Sequence, residues 1–268
     1  MDLKAVSIGV LISVLAWSIP AMAAHPVTTS ASMPQANWSL VRKLTGSTPI
    51  LTYHDIIEKR DYKSLFFDCS VSELESQLTW LTKHGAKFIT IDQVYDHLTK
   101  GTTLPKNAIA ITFADGYEGF YLRGLPVLRR LHVPVAMFIH TDYVGDQHGR
   151  PKMTWEQIQK LDKEGLVTIC SQTRTHPADI TQLSDVRLKE ELAGSKKILE
   201  QKLGHPIRFL AYPNGKFDTR VAKSAKLAGY AMAFTERLTP SEKSPNRYMV
   251  SRYLHTKYRL AWSDAGRS

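Results

Sequence analysis

Four groups of polar residues stand out because each comes at the end of a short run of β-type residues. His54 follows Ile50-Leu51-Thr52-Tyr53, and Asp115 follows the run from Ile109 to Phe113. Gln172 to His176 follows Val167 to Cys170, and Tyr212-Pro213-Asn214 closes the run from Phe209. Imidazoles and carboxylates are the side chains that move protons near neutral pH and that bind divalent cations. Singly, each group has an ordinary reading: Asp115-Gly116 as a turn, His176-Pro177 as a loop, Asp55 as a turn or cap residue. Together they become chemical apparatus, provided the chain's elements bring them to one place.

The elements have that property. Val71, Leu74, Leu78 and Leu81 share a helical face behind a Ser70/Glu73 capping box, and Gly85 stops the helix. A helix through Leu125, Leu128 and Leu131 precedes a buried strand at Val133 to Ile139. Thr154 and Gln157 cap a helix ending near Gly165. Leu188, Leu192, Leu199 and Leu203 line a long helix closed by Gly204, and Asp218 caps a short helix stopped at Gly229. Tyr230 to Phe234 and Met249 to Tyr253 read as late strands. Strands alternating with helices predict a parallel sheet with crossover helices, here one distorted (β/α) barrel. In such a barrel the residues just after each strand collect at one face.

The 268-residue chain is 43% hydrophobic and 22% charged, the balance of an ordinary globular protein. Lys4, the apolar run Ala5 to Ile19, Pro20 and then Ala21-Met22-Ala23 predict a signal peptide cleaved after residue 23. The run is short for a membrane span. Residues 24–47 are expected to be a flexible lead. Export implies an oxidising compartment, where Cys69 and Cys170 either pair or remain buried thiols. The net charge of +10 includes seven Lys/Arg against three Asp/Glu between Glu236 and Arg267. A solvated basic surface is the plain reading, with peripheral membrane or export-machinery contact as the sharper one. No nucleic-acid motif accompanies it.

Five segments in order resemble the polysaccharide deacetylases of carbohydrate esterase family four, the NodB-homology family. They are Leu51-Thr52-Tyr53-His54-Asp55, Thr112-Phe113-Ala114-Asp115-Gly116-Tyr117, Met153-Thr154-Trp155, Ser171-Gln172-Thr173-Arg174-Thr175-His176-Pro177 and Ala211-Tyr212-Pro213-Asn214-Gly215. An early Tyr-His pair resembles the subgroup acting on poly-β-1,6-N-acetylglucosamine of biofilm matrices. The resemblance implies a domain over residues 48–256, with 257–268 as a C-terminal tail. It implies metal-dependent hydrolysis of N-acetyl groups on an N-acetylglucosamine polymer, with a zinc-like divalent cation. It assigns Asp115 and His176 as metal ligands, His54 as an acid near the site, and Tyr212, Pro213 and Asn214 as the wall of a substrate groove.

Two positions depart from the family pattern. Ala114 stands where the resemblance places the catalytic base, and Gln172 where it places the first metal imidazole. Loss of a positioned base costs about 10²–10⁴-fold in rate. A neutral amide is a poor ligand for a metal that prefers nitrogen and sulfur donors. Cys170 and Asp55 are spare groups nearby. Two readings stay open: a deacetylase with weak or rewired chemistry, and a non-catalytic glycan-binding or matrix-assembly protein that keeps the groove. His84, His97, His132, His140, His148, His205 and His255 show no ligand spacing and read as surface or core residues.

Overall fold

The computed structural model describes residues 47–267, so the signal-peptide and lead assignments lie outside the described residues. Strands β1 (Ile50–Tyr53), β2 (Ile56–Ile57) and β3 (Cys69–Ser70) come first. Helix α1 (Val71–Lys83) follows behind the expected Ser70/Glu73 capping box. Next come β4 (Lys87–Ile89), α2 (Ile91–Lys100), β5 (Ala108–Phe113), α3 (Leu125–Leu131), β6 (Val135–Ile139) and α4 (Trp155–Glu164). The chain continues through β7 (Val167–Ser171), α5 (Asp185–Lys189), α6 (Ser195–Leu203), β8 (Phe209–Ala211), α7 (Thr219–Leu227), β9 (Met232–Phe234), β10 (Tyr253–Leu254) and α8 (Tyr258–Asp264). A π-helical turn at Glu190–Gly194 joins α5 to α6, so the predicted long helix is continuous but bulged.

The eight-stranded sheet runs β10-β1-β5-β6-β7-β8-β9, with β4 also paired to β5, and its strand pairs are parallel. It curls into the distorted (β/α) barrel that the sequence predicts. Its two edges meet through residues 250–254. Val250 bridges to Phe234 of β9, while Tyr253 and Leu254 pair with Leu51 and Thr52 of β1. The predicted strand Met249 to Tyr253 is therefore broken into a bridge and a two-residue strand that close the sheet.

The period of two divides the strands into two cores. Outward residues such as Leu51, Ile111, Met137, Ile169 and Leu210 pack with the helices. Inward residues, including Ile50, Ala110, Phe138, Cys170 and Phe234, fill the barrel. Helix α2 packs Ile91, Val94 and Leu98 into this inner cluster. The β4–α2 unit was not anticipated, although Thr90 and Gln93 form a capping box and Gly101 a left-handed stop. The segment set apart as a tail after residue 256 contains α8, which buries Ala261 and Trp262 in the outer core. Cys69 and Cys170 are free thiols in different clusters, and burial raises both above their ordinary range.

Candidate active site

Inward parity continues past the strand ends, and it decides what reaches the barrel mouth. Ile50 and Thr52 lead to His54; Ala110 and Thr112 lead to Ala114; Ala136 and Phe138 lead to His140; Cys170 leads to Gln172. The two strand-end turns then leave ordinary backbone. Asp115 has φ 70° and Gly116 φ 63°, while Thr173 has φ 70° and His176 φ 51°. Such left-handed values are uncommon for residues with a Cβ and cluster at functional sites.

Asp115 and His176 meet as the resemblance implied, with His176 Nε2 3.5 Å from Asp115 Oδ1. The His176 loop is held from behind. Glu191 accepts from the Arg174 and Thr175 amides at 2.9 Å each and from the Thr175 hydroxyl at 2.6 Å. Glu191 is buried on the long helix and had no reading in the sequence. Gln172 is also buried, and its Oε1 accepts the backbone N–H of Asp115 at 2.7 Å. Ala114 is fully buried and adds no polar group to the mouth.

Four further groups surround Asp115. His54 is half-buried against Phe67, with ring centroids 5.2 Å apart, and desolvation holds its pKa low. His140 follows β6, which lies between the strands leading to Asp115 and Gln172. Its ring lies 5.5 Å from that of His176, and burial drives its pKa down to about 3, with Lys152 contributing. Lys152 places its ammonium 3.3 Å from the Tyr117 ring centroid; burial lowers its pKa to about 8, opposed by Asp115 and Asp55. Burial pushes the Asp115 carboxyl up, but His54, His176 and His140 outweigh it and hold it below the usual carboxylate range. Beneath the mouth lies Arg252, a fully buried guanidinium. It donates to Thr52 Oγ1 and the Thr235 carbonyl at 3.2 Å each and pairs with Glu236 at 3.5 Å.

His140, Lys152, Glu191 and Arg252 are residues of the candidate site that the sequence reading missed. Ligand spacing does not reveal His140, but its place after an inward-facing Phe138 does. Arg252 follows an inward Val250 by two and carries the same signal.

The structure corrects one placement. Tyr212 does not face the mouth as a groove wall. It is fully buried on the outward side, stacked on Phe217 at 5.3 Å, and its hydroxyl donates to the Tyr248 carbonyl at 3.1 Å. One residue of parity separates it from inward Ala211. Pro213 is buried, and exposed Asn214 donates to the Ala178 carbonyl at 3.2 Å, tying this loop to the His176 loop. Asp55 is a clamp residue, 3.3 Å from Arg150, and Glu118 accepts from Gln157 of α4 at 3.0 Å. Cys170 packs inside the barrel, its thiol on the Thr168 carbonyl at 3.6 Å.

A divalent cation would need Asp115, His176 and a third donor. The residue at the third position has committed its amide oxygen to backbone. Among the described residues no three His, Cys, Asp or Glu side chains stand together as a cation-holding group. The ligand set that the resemblance implies, with an imidazole at position 172, is therefore not assembled among the described residues. Buried atoms without hydrogen bonds are nevertheless present around the mouth: Asp115 Oδ1, His54 Nδ1 and His140 Nδ1.

Comparison with known proteins places this geometry. Residues 101–233 match the family model described as polysaccharide deacetylase. A poly-beta-1,6-N-acetyl-D-glucosamine N-deacetylase of Staphylococcus aureus (strain MSSA476) is 27% identical over 199 residues, 70% of this chain and 68% of that protein. The structure of IcaB from Ammonifex degensii superposes with a TM-score of 0.72 at 25% identity, covering 82% of this chain and 97% of that one. The Streptococcus pyogenes deacetylase PplD, in complex with acetate, superposes with a TM-score of 0.72 at 21% identity, covering 78% and 93%. This last likeness is one of fold.

Proposed function

This chain belongs to the polysaccharide deacetylase family of the NodB-homology type, and from that premise we propose that it is an exported protein that binds an N-acetylglucosamine polymer, with hydrolysis of the N-acetyl group lost or strongly impaired. The observation that carries the proposal is the Gln172 amide oxygen on the Asp115 N–H, next to a buried Ala114. The first removes a donor for a cation, and the second removes the proton acceptor for water.

Beside Asp115 lies a narrow crevice that must widen to admit an acetamido group; it is lined by apolar Ile139, Val144 and Ile158 and by polar Asp115, His140, Tyr143 and Lys152. Apolar walls suit the methyl, and the lysine and imidazole suit the amide. The relative from Staphylococcus aureus is named for a poly-N-acetylglucosamine substrate, which supports the same polymer here. Export rests on the sequence of residues 1–23.

A second reading, a deacetylase with rewired chemistry, is favoured by the buried atoms of Asp115, His54 and His140 that lack a hydrogen bond. One experiment separates the two. The purified chain is dialysed against zinc, analysed for bound metal and titrated with N-acetylglucosamine oligomers with and without chelator. Binding that survives chelation, without acetate release, is the expected result. Near-stoichiometric zinc with acetate release overturns the non-catalytic reading.

A further inference from the structure

Between β2 and β3 the chain runs through residues 58–68, and this loop displays Tyr62 at 91% exposure, Phe66 at 75% and Leu65 at 44%. Large apolar side chains grouped in water mark an interaction surface more often than chance. The loop that presents them is fastened. Arg60 donates to Glu73 at 2.6 Å and to the carbonyls of Leu65, at 3.3 Å, and Asp68. Asp61 closes a turn by accepting from the Lys63 amide at 2.9 Å and the Ser64 hydroxyl at 3.1 Å. The Leu65 amide donates to Asp68 Oδ2 at 2.6 Å, and Arg150 grips the same buried carboxylate from across the mouth at 2.8 Å. The rings are thus held out by a frame of hydrogen bonds.

The frame also connects to the site. Phe67 lies 5.2 Å from the His54 ring on one side, and the Phe66 ring meets it edge-on at 5.3 Å. The Arg150 guanidinium covers Phe67 at 5.6 Å. A ligand seated at His54 that extends past Phe67 meets Phe66.

We propose that residues 60–67 form a sugar-stacking subsite, in which Phe66 and Tyr62 receive pyranose rings of the glycan beyond the unit held at the mouth. The inference rests on the polysaccharide reading above and adds to it where the chain binds and in which direction it leaves. The chemistry favours a sugar over a lipid surface. Glu58, Lys59, Asp61 and Lys63 are exposed among the rings, and inserting them into hydrocarbon is costly. A pyranose offers the opposite match: C–H faces for the rings and hydroxyls for the charged groups.

The test is calorimetric titration of the full chain and its Tyr62→Ser/Phe66→Ser variant with β-1,6-linked N-acetylglucosamine dimer and hexamer. Both side chains lie outside the hydrogen-bonded frame, and circular dichroism with thermal melting checks that the variant folds. The expected result is about tenfold weaker hexamer binding with dimer affinity unchanged. Equal hexamer affinity overturns this subsite and leaves the polysaccharide reading intact. Equal losses for dimer and hexamer overturn it as well, because the mouth would then have been disturbed. An unmodified chain that binds neither oligomer overturns both proposals. Sedimentation with phosphatidylglycerol vesicles completes the test: vesicle binding lost in the variant, with hexamer binding retained, assigns the rings to a membrane and overturns the inference.

Discussion

The amide oxygen of Gln172 accepts the backbone N–H of Asp115 at 2.7 Å, so the side chain at the position where the resemblance implies a metal ligand supports the Asp115 turn. Gln172 is buried and Asp115 partly so, and Asp115 holds a left-handed φ of 70°. Replacing Gln172 with Leu leaves that N–H buried without an acceptor, at a cost of about 1–3 kcal/mol. Glu at this position keeps the acceptor but sets a second carboxylate beside Asp115. Chemical denaturation of the two variants should rank wild type as most stable and Gln172→Leu as destabilised with an unchanged m-value. A neutral outcome for Gln172→Leu would remove the structural role given to the amide.

The same relationship predicts how repair should proceed. Gln172→His supplies an imidazole at the family's ligand position, so metal retention should rise. The rate should stay low because position 114 still holds no base. Ala114→Asp with Gln172→His should restore acetate release from N-acetylglucosamine oligomers by about 10²–10⁴-fold over Gln172→His alone. Zinc content by elemental analysis reads the first step, and acetate release reads the second. A double variant that folds and holds zinc but releases no acetate would point away from N-acetylglucosamine as the substrate.

Arg252 supports the mouth from below. Its guanidinium is fully buried, lies over Phe138 at 5.1 Å, and joins β1, through Thr52, to the residues after β9. Arg252→Met keeps the volume but strands the Thr52 hydroxyl, the Thr235 carbonyl and the Glu236 carboxylate. Glu236 retains some exposure, so the loss should fall at the low end for a broken buried pair, about 3 kcal/mol. Urea denaturation measures it. Arg252→Lys should recover little, because an ammonium cannot reproduce the fork of donors.

Much of this architecture was legible in the sequence, because it rests on local rules. Ser70/Glu73 and Thr154/Gln157 announce their helices by capping chemistry, and both boxes form. His54, Asp115 and His176 were placed at the mouth by their positions after strands. What escaped depends on which way a side chain points. Tyr212 sits in the motif expected for the groove wall, yet one residue of parity turns it outward. His140 carries no motif, yet parity turns it inward. Arg252 looked like part of a basic surface, and only closure of the barrel by residues 250–254 reveals it as interior. The display of Tyr62 and Phe66 beyond Phe67 depends on a frame assembled from Glu73 and Arg150, which no local window contains.

Gly119 is required by close approach, since its φ lies in the ordinary helical range. A Cβ there would lie 2.1 Å from Asp55 Oδ1 and 2.5 Å from the Ile56 carbonyl oxygen. One of these is backbone and the other belongs to the Arg150 clamp, so neither yields cheaply. Gly119→Ala should therefore lower the melting temperature and loosen the loop next to His54, as seen by faster proteolysis between β2 and β3. An alanine variant as stable and as protease-resistant as wild type would show that this clamp is softer than its distances imply.

Stability should also fall in mild acid, and His255 provides the clearest case. It is buried, stacked on Tyr53 at 4.9 Å, and neither ring nitrogen has a hydrogen bond. Burial, with His54 contributing, lowers its pKa from 6.5 to about 4. The unfolded chain therefore binds a proton near pH 6.5 that the folded chain refuses until about pH 4. Below pH 6.5 protons favour the unfolded state, so stability declines as pH falls and the decline from this group ends near its folded pKa. At pH 5 the contribution is about 2 kcal/mol. His255→Phe keeps the stack on Tyr53 and removes the titration. Denaturation of both proteins at pH 7.5 and pH 5 should give a smaller acid loss for the variant. The same loss in both would assign the acid sensitivity to other groups.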